Sequence, residues 1–376
     1  MTGYLSVQPL DGAALVTLDD PSGRTNRTTA QFKAELAALL DQLVADPPRG
    51  VIFRSAKPGF GTGGDIAEVL AHAGQGPEAS FADSQRLKAL YRRIERLGLP
   101  TVALIEGLAV GGGWELALAC HARFALNDPA IRMGLPETNL GLVPGGGGLQ
   151  RLPHLIGGRA AGRLIATGAL QSPLQALDEG VLDDLAASQS RLIDRAMRWI
   201  GANPQARQPW DQPGHRPPDA ARYTGPLPEG TAPRLALDAI ADVLAARFDA
   251  GAEIESRLFA ALATSDETQS LIGLRFLDRT ALRRAPADPV WQADFTARLA
   301  AAASPEAMVE LARQDLAAGR IPSAAAANVT SVQAGFPATL GGVLRHLARQ
   351  PLPPDLQRRL QAAIAADAGT NKETSA

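Results

Sequence analysis

Two glutamates, Glu115 and Glu137, each adjoin a glycine-rich segment in the middle of the chain. Glu115 follows three consecutive glycines at 111–113 and opens an apolar run whose composition favours a helix. Glu137 follows a proline and precedes a second glycine-rich turn at 145–148, so we expect a loop to display its carboxylate. Two carboxyl groups in one apolar cleft can separate their pKa values. The pattern therefore predicts a general acid/base pair.

The glycines at 111–113 add a second chemical element. They let a ligand approach the backbone closely, and the first N–H groups of a helix have no partner within it. Such N–H groups can stabilise a developing negative charge on an oxygen. A simpler interpretation stays open for each residue: tight helix–strand packing for the glycines, a favourable first-turn position for Glu115, and an exposed turn for Glu137.

Composition indicates a soluble enzyme and gives no support to several other classes. The 376 residues carry 37 Lys and Arg against 39 Asp and Glu, so the net charge of −2 predicts neither nucleic-acid nor anionic-membrane binding. The lone cysteine, Cys120, cannot form an internal disulfide. No secretory signal or membrane span is apparent, and the five histidines lack metal-ligand spacing. We expect a cytoplasmic protein without a bound metal.

Hydrophobic periodicity predicts strands and helices on both sides of the glycines at 111–113, as in an α/β domain. Apolar segments flank Asp11-Gly12, a hairpin signal, and helical spacing occurs at 29–45, 81–97, 158–167 and 173–179. Buried-strand patterns occupy 50–56, 101–107 and 123–126. The recurring order of strand, strand and helix predicts a spiral of ββα repeats.

The second half of the chain has a different character. Residues 201–231 are rich in proline and glycine, which predicts a linker between a domain at 1–200 and a helical region at 232–366. Within that region helical runs are expected at 232–248, 252–277, 291–315 and 354–366. The last residues, 367–376, are small and polar and are predicted to be disordered.

One motif points elsewhere and is rejected. Gly59, Gly61 and Gly64 fit the G-x-G-x-x-G pattern of dinucleotide-binding folds and follow a predicted strand. The helix after them leads into another helix and not into a second strand with an acidic end, as a βαβ unit requires. We therefore expect no NAD binding.

The region 100–157, from PTVALIEG to RLPHLIG, resembles the signature region of the enoyl-CoA hydratase/isomerase (crotonase) superfamily. The resemblance extends to 59–69 and 164–185 and covers roughly the first 200 residues. Segments 200–218 and 332–345 further resemble the α-subunit of the multifunctional fatty acid oxidation complex, of which this chain is similar to the hydratase half. The resemblance implies a crotonase-type spiral with an all-α extension, and a dehydrogenase domain missing from between the two segments.

A mechanism follows from the resemblance. A CoA thioester is the substrate, coenzyme A enters only as part of it, and no separate cofactor is implied. The backbone N–H groups of Gly64 and Gly112 match the family's oxyanion hole, which binds the thioester oxygen. Glu115 matches the carboxylate that deprotonates water for attack at C3, and Glu137 matches the group that protonates C2. This chemistry hydrates a trans-2-enoyl-CoA, with Δ3-Δ2 isomerisation as a side activity.

Three more residues are candidates for substrate binding. Arg24 lies where the family's adenine-end loop lies and is placed to meet a CoA phosphate, although a solvated arginine is an equal alternative. Asp65 follows Gly64 and can orient that turn as a helix N-cap. Trp114, between Gly113 and Glu115, either narrows the acyl pocket or belongs to the core.

Two other functions stay open at this point. A CoA-thioester hydrolase or another crotonase-fold lyase would suit a bulky acyl group, but hydrolases of the family usually replace the first glutamate, which is present here as Glu115. A non-catalytic CoA-binding subunit would instead dock a thiolase or dehydrogenase through its helical region. The sequence leaves open whether the chain forms a homo-oligomer or such a complex.

Overall fold

A six-stranded sheet runs through the computed structural model, which describes residues 3–228 and 230–272. The strands of this sheet, in chain order, are β1 (Leu5–Leu10), β2 (Ala13–Leu18), β3 (Val51–Ser55), β4 (Thr101–Ile105), β6 (Ala122–Leu126) and β8 (Asp184–Ala186). Two short strands, β5 (Ala109–Val110) and β7 (Met133–Gly134), pair separately. Strands β1 and β2 form the predicted hairpin around Asp11-Gly12, and all other neighbours in the sheet are parallel.

Helices separate most of the strands, and some of them begin at a residue whose side chain caps the first turn. Those in the first 202 residues are α1 (Ala30–Ala45), α2 (Ile66–Gly74), α3 (Pro77–Glu95), α4 (Gly112–Ala119), α5 (Gly148–Ile156), α6 (Gly158–Thr167), α7 (Pro173–Asp178) and α8 (Gln189–Ala202). Thr29 caps α1 by accepting the Phe32 N–H, and Ser172 and Gln175 form a capping box at α7. Helices α5 and α8 were absent from the sequence-based prediction.

The chain winds as a repeated unit, as predicted. Each repeat of the spiral contributes one strand to the large sheet and one short strand or single bridge to a second layer. That layer consists of the Thr28–Gly64 bridge, the Gly61–Ala109 bridge, the β5–β7 pair and the Met133–Gln171 bridge. Because successive turns meet in this layer, segments distant in sequence are brought together at 61–64, 109–112 and 133–137.

One face of the large sheet buries an apolar core against α8. Ile52, Val102 and Leu104 from the strands pack with Leu192 and Ile200 from the helix, and all are at most 2% exposed. Burial of this kind stabilises a fold by about 25 cal/mol per Å² of apolar surface. The predicted site residues Gly64, Gly112 and Glu137 lie instead in or next to the second layer.

The predicted helical region begins with α9 (Thr231–Ala245), α10 (Phe248–Ala263) and α11 (Asp266–Ile272). The predicted helix 252–277 is wrong in its bounds, because α10 starts earlier and ends at Ala263. Thr264 and Ser265, whose side chains donate to nearby backbone carbonyls, separate it from α11. Helix α10 packs against α3 and α9, and α9 packs against α5 and α6. The predicted helices at 291–315 and 354–366, the motif at 332–345 and the tail at 367–376 lie outside the described residues.

Residues 201–228 cross the first part of the chain with few regular elements, among them the 3₁₀ helix Pro209–Asp211. The Gln208 side-chain amide, which is buried, donates to the carbonyls of Ala119 (3.0 Å) and Cys120 (2.9 Å). The ring of Trp210 stacks on Phe248 of α10 with centroids 4.6 Å apart. This segment therefore contacts both the α/β part and α10, while the predicted domain boundaries at 200 and 231 stay predictions.

Candidate active site

Two glycine segments touch at the start of α4. A methyl group on Gly113 would lie 2.6 Å from the Cα of Gly61, and one on Gly112 would lie 2.5 Å from the Thr28 Oγ1. Gly111 has a φ of 54°, which side chains other than glycine rarely adopt. The glycines at 111–113 therefore allow a backbone approach that no larger residue permits, so the packing role considered from the sequence is real.

The two predicted oxyanion-hole amides lie on these touching segments. In the parallel bridge, Thr28 donates to the Gly63 carbonyl and accepts from Asp65, so the N–H of Gly64 points to the opposite side. Gly112 is the first residue of α4, where a helix supplies no acceptor for the N–H. Within the described part of the chain, neither N–H has an assigned acceptor. Both are available to a ligand oxygen.

Glu115 lies in the first turn of α4 and is only 2% exposed. Its Oε1 accepts the N–H of Gly146 at 2.7 Å and that of Gly148 at 2.8 Å, while its Oε2 has no assigned partner among the described residues. Burial, and next the charge of Glu255, raise the pKa of Glu115 to about 7, against the opposing effect of the two N–H groups and Arg151. One oxygen is thus anchored, and the other is left to bind a water molecule.

Glu137 begins the 3₁₀ helix Glu137–Leu140, which Leu135 and Pro136 connect to β7. Its Oε1 lies beside Gly111, where a methyl group would be 2.9 Å from it. Its Oε2 is buried and has no hydrogen-bond partner within the described residues. Burial, and next the charge of Glu115, raise the pKa of Glu137 well above the ordinary value. A buried carboxyl without a partner favours the protonated state, in which it can donate a proton.

The arrangement fits acid/base chemistry on an acyl compound. Two carboxyl groups flank the 111–112 turn, and two N–H groups beside them can bind an oxygen on which negative charge develops. Among the residues that the structure describes, no group of three or more His, Cys, Asp or Glu is placed to hold a metal ion. Nor does any described helix have the length and apolar character to cross a membrane.

Comparison with known proteins decides the family. Residues 10–207 match the family profile described as enoyl-CoA hydratase/isomerase. The chain belongs to the enoyl-CoA hydratase/isomerase family. This confirms the resemblance of the region 100–157 and makes the protein a crotonase-type enzyme.

Two curated relatives of this family member carry the name fatty acid oxidation complex subunit alpha. The one from Shewanella amazonensis is 33% identical over 292 residues, which are 71% of this chain and 40% of that protein. The one from Shewanella putrefaciens is 33% identical over 290 residues, again 71% and 40% of the two chains. The chain thus spans about two fifths of the length of the curated relatives that it matches.

Solved structures agree on the crotonase-type fold. The human mitochondrial delta3-delta2-enoyl-CoA isomerase is 24% identical with a TM-score of 0.56, and the match covers 75% of this chain and all of that one. The enoyl-CoA hydratase from Bacillus halodurans is 21% identical with a TM-score of 0.55, covering 72% and 99% of the two chains. At these identities the likeness establishes the fold.

The three predicted substrate-binding residues of this family member have different surroundings. Asp65 caps α2 by accepting the N–H groups of Ala67 and Glu68, and its other oxygen pairs with Arg27 at 2.5 Å. Its N-cap position orients the turn after Gly64, as considered from the sequence. Arg24 is exposed, and no ion pair is assigned to it in the described residues. Trp114 is fully buried.

The sequence analysis missed the residues that surround Glu115. The sequence predicts a glycine-rich turn at 145–148 but does not indicate that N–H groups of residues 146–150 bind buried carboxylates. Arg151 holds that turn, since it donates to the Gly146 carbonyl at 3.0 Å and pairs with buried Glu95 at 2.5 Å. Tyr91 donates to the Gly112 carbonyl at 3.0 Å and so fixes the start of α4. No local pattern in the sequence marks Glu255, because its burial on α10 depends on tertiary packing.

Proposed function

We propose that this enzyme adds water across the 2,3 double bond of a trans-2-enoyl-CoA. The observation that carries the proposal is the contrast between the two carboxyl groups beside Gly111. Glu115 has one oxygen anchored by two N–H groups and one free, whereas Glu137 has a buried oxygen with no partner within the described part of the chain. Burial raises the pKa of both carboxyl groups. On their hydrogen bonding we assign the base to Glu115, which two N–H groups hold in place, and the acid to Glu137, whose oxygen lacks a partner in the described ranges and favours the protonated form.

The reaction then proceeds in a defined order. The thioester oxygen accepts hydrogen bonds from the Gly64 and Gly112 N–H groups, which stabilise the enolate that forms as C3 is attacked. Glu115 accepts a proton from the water molecule whose oxygen forms the new bond to C3. Glu137 donates a proton to C2 on the same side, and the double bond becomes a single bond. A proton exchange from Glu115 to Glu137 through solvent restores the enzyme.

Isomerisation of a Δ3 to a Δ2 double bond is proposed as a side activity. It passes through a similar enolate: one ionised carboxylate removes a proton from C2 and delivers it to C4, so Glu137 would have to start this reaction in its ionised form, with Oε2 as the oxygen that takes the proton. The shared names of the curated relatives further support a place in fatty acid oxidation. Association with a thiolase or dehydrogenase, homo-oligomer formation and a cytoplasmic location stay predictions.

The test follows the enoyl-thioester absorbance of crotonyl-CoA, 2-decenoyl-CoA and a branched or cyclic enoyl-CoA, with free thiol monitored in the same cuvette. Absorbance loss without thiol release supports hydration and ranks the acyl groups. Thiol release supports the hydrolase alternative. Absence of both signals, with CoA still bound in calorimetry, supports the binding-subunit alternative and overturns the proposal.

A further inference from the structure

Helix α10 places a carboxyl group at a fully buried position, where apolar residues are expected. Glu255 is 0% exposed, although it comes from the helical region that follows the α/β part. Isolating an ionised carboxylate from water is costly unless hydrogen bonds or opposite charges compensate it. Glu255 therefore has to be explained by what its oxygens contact.

Those contacts lie in the turn that anchors Glu115. The Oε1 of Glu255 accepts the Gly147 N–H at 2.6 Å, and its Oε2 accepts the Gln150 N–H at 3.1 Å. Glu115 accepts the N–H groups of Gly146 and Gly148. The two carboxylates thus share the free N–H groups at the N-terminus of α5, which also carries the positive end of the helix dipole.

Polar residues between α3 and α10 hold α10 in this position. Lys88 of α3 is 3% exposed, donates to the Ala252 carbonyl and lies with its Nζ 3.5 Å from the Oε1 of Glu255. One turn earlier, Ser84 of α3 donates to the Gly145 carbonyl at 2.6 Å and contacts the Ser256 hydroxyl at 2.8 Å. Both ends of the 145–150 turn are therefore fixed by α3 and α10 together.

We propose that Glu255 is a positioning residue of the active site: it holds the 146–150 turn against Glu115 and keeps a negative charge beside that carboxylate. The inference rests on the proposed function of Glu115 as the base. It gives the helical region beyond 231 an indirect part in the chemistry, because a residue of α10 sets both the geometry and the charge around the base.

Charged and titratable groups from every neighbouring element act on Glu115. They are Lys88 and Tyr91 of α3, Glu137 of the 3₁₀ helix, Arg151 of α5 and Glu255 of α10. Of these, Glu255 has the largest charge effect on the pKa of Glu115, and it raises that pKa. Removing the charge of Glu255 should therefore let Glu115 lose its proton at lower pH.

The test is Glu255→Gln, which keeps an oxygen to accept an N–H while removing the charge. The acid limb of kcat/KM against pH should move down on the order of one pH unit, with kcat reduced because one anchored N–H is lost. Glu253→Gln is the matched control, since Glu253 lies two residues earlier on the same helix but is 55% exposed. An unmoved limb in Glu255→Gln, or an equal shift in Glu253→Gln, would overturn the proposal.

A second variant and a second readout keep the inference testable. Glu255→Asp keeps the charge but shortens the side chain, so it should lower kcat while leaving the acid limb near its wild-type position, and it carries the test if Glu255→Gln does not fold; a wild-type kcat in this variant would overturn the positioning role. The titration of Glu115 is also measured without substrate, as the carboxyl infrared band that disappears in Glu115→Gln. This band should titrate lower in Glu255→Gln even if the protein turns out not to hydrate enoyl-CoA. An unchanged band would overturn the role of Glu255 by itself.

Discussion

Glu115 and Glu255 accept hydrogen bonds from alternating N–H groups of one turn: Glu115 from Gly146 and Gly148, and Glu255 from Gly147 and Gln150. One carboxylate comes from the α/β part and the other from α10. Because both are buried, a displacement of either changes the turn that the other uses. The base of the proposed reaction is therefore held in place by two distant parts of the sequence.

The first prediction concerns the two glutamates of the proposed reaction. Glu115→Gln and Glu137→Gln should each lower kcat for hydration by about 10²–10⁴, because each removes a proton-transfer group and keeps the side-chain shape. Steady-state kinetics on the best enoyl-CoA substrate measures this. Glu179→Gln is the control, since Glu179 is partly exposed and forms an ion pair with Arg163 outside the proposed site. Unchanged rates in both active-site variants would contradict the mechanism.

The second prediction concerns the pH dependence of the wild-type enzyme. The base must be ionised, and burial raises the pKa of Glu115 to about 7. Hydration should therefore rise with pH through about 7 as Glu115 ionises. Burial also raises the pKa of Glu137, and hydration should fall where this acid loses its proton. Values of kcat/KM measured from pH 5 to 10 test this. An acid limb at the ordinary pKa of glutamate would show that Glu115 is not the titrating base.

The third prediction treats Glu115 as a source of instability. Its pKa is about 7 in the folded protein against an ordinary value of 4.5, so the folded state binds more protons between these values. The buried Glu115 therefore does not reduce the free energy of unfolding below pH 4.5. The reduction grows as pH rises from 4.5 to 7 and levels off above 7, at on the order of 3 kcal/mol. Glu115→Gln should remove this loss. Its melting temperature relative to wild type should be higher at pH 8 than at pH 5, and an equal difference at both pH values would refute the prediction.

Much of this site could be predicted from sequence because it depends on local signals. The three glycines before Glu115 and the proline before Glu137 indicate their backbone settings directly, and the hairpin at Asp11-Gly12 follows from turn chemistry. The contacts of Glu255 could not be predicted in this way. An isolated glutamate on a helix normally faces solvent, and only tertiary packing shows that this one is buried on the 146–150 turn.

Helix α5 shows another limit of the sequence. It contains Pro153 and starts at Gly148, two residues that ordinarily disfavour helix, yet it forms because its first N–H groups have carboxylate partners and its side chains are buried. These partners lie on α4 and α10. Hydrogen bonds from the first N–H groups of α5 to carboxylates distant in sequence thus outweigh the low helix propensity of its glycine and proline. No local pattern indicates these bonds.

The fourth prediction tests the contact between the two glycine segments. Gly113→Ala places a methyl group 2.6 Å from the Cα of Gly61, so the two backbones must separate. We expect about 1–3 kcal/mol of destabilisation, together with a loss of hydration because Gly112 and Glu115 shift. Gly74→Ala is the control, since a methyl group there meets nothing within 4 Å. Equal melting temperatures for the two variants would contradict the close approach.

The last prediction concerns Arg92, which joins α3 to the segments that follow residue 200. Its guanidinium pairs with Glu95 at 2.7 Å, Asp211 at 2.5 Å and Asp249 at 2.8 Å, and lies 5.0 Å from the ring centre of Phe248. Arg92→Met removes a cation that these three carboxylates share, while Arg151 still pairs with Glu95 and Arg96 still pairs with Asp211 and Asp249. Because buried Glu95 loses one hydrogen-bond donor and keeps another, the expected destabilisation is about 1–3 kcal/mol.

Arg93→Met is the matched control, because the neighbouring Arg93 pairs only with Asp41 among the described residues, and both of those side chains are well exposed. Such a surface pair contributes about 0–1 kcal/mol. Thermal unfolding should therefore separate the two variants clearly, and limited proteolysis should show earlier cleavage in 201–228 for Arg92→Met. If both variants melt like wild type, Arg92 does not fasten this segment and α10 to α3, and the position of Glu255 depends on the Lys88 and Ser84 contacts instead.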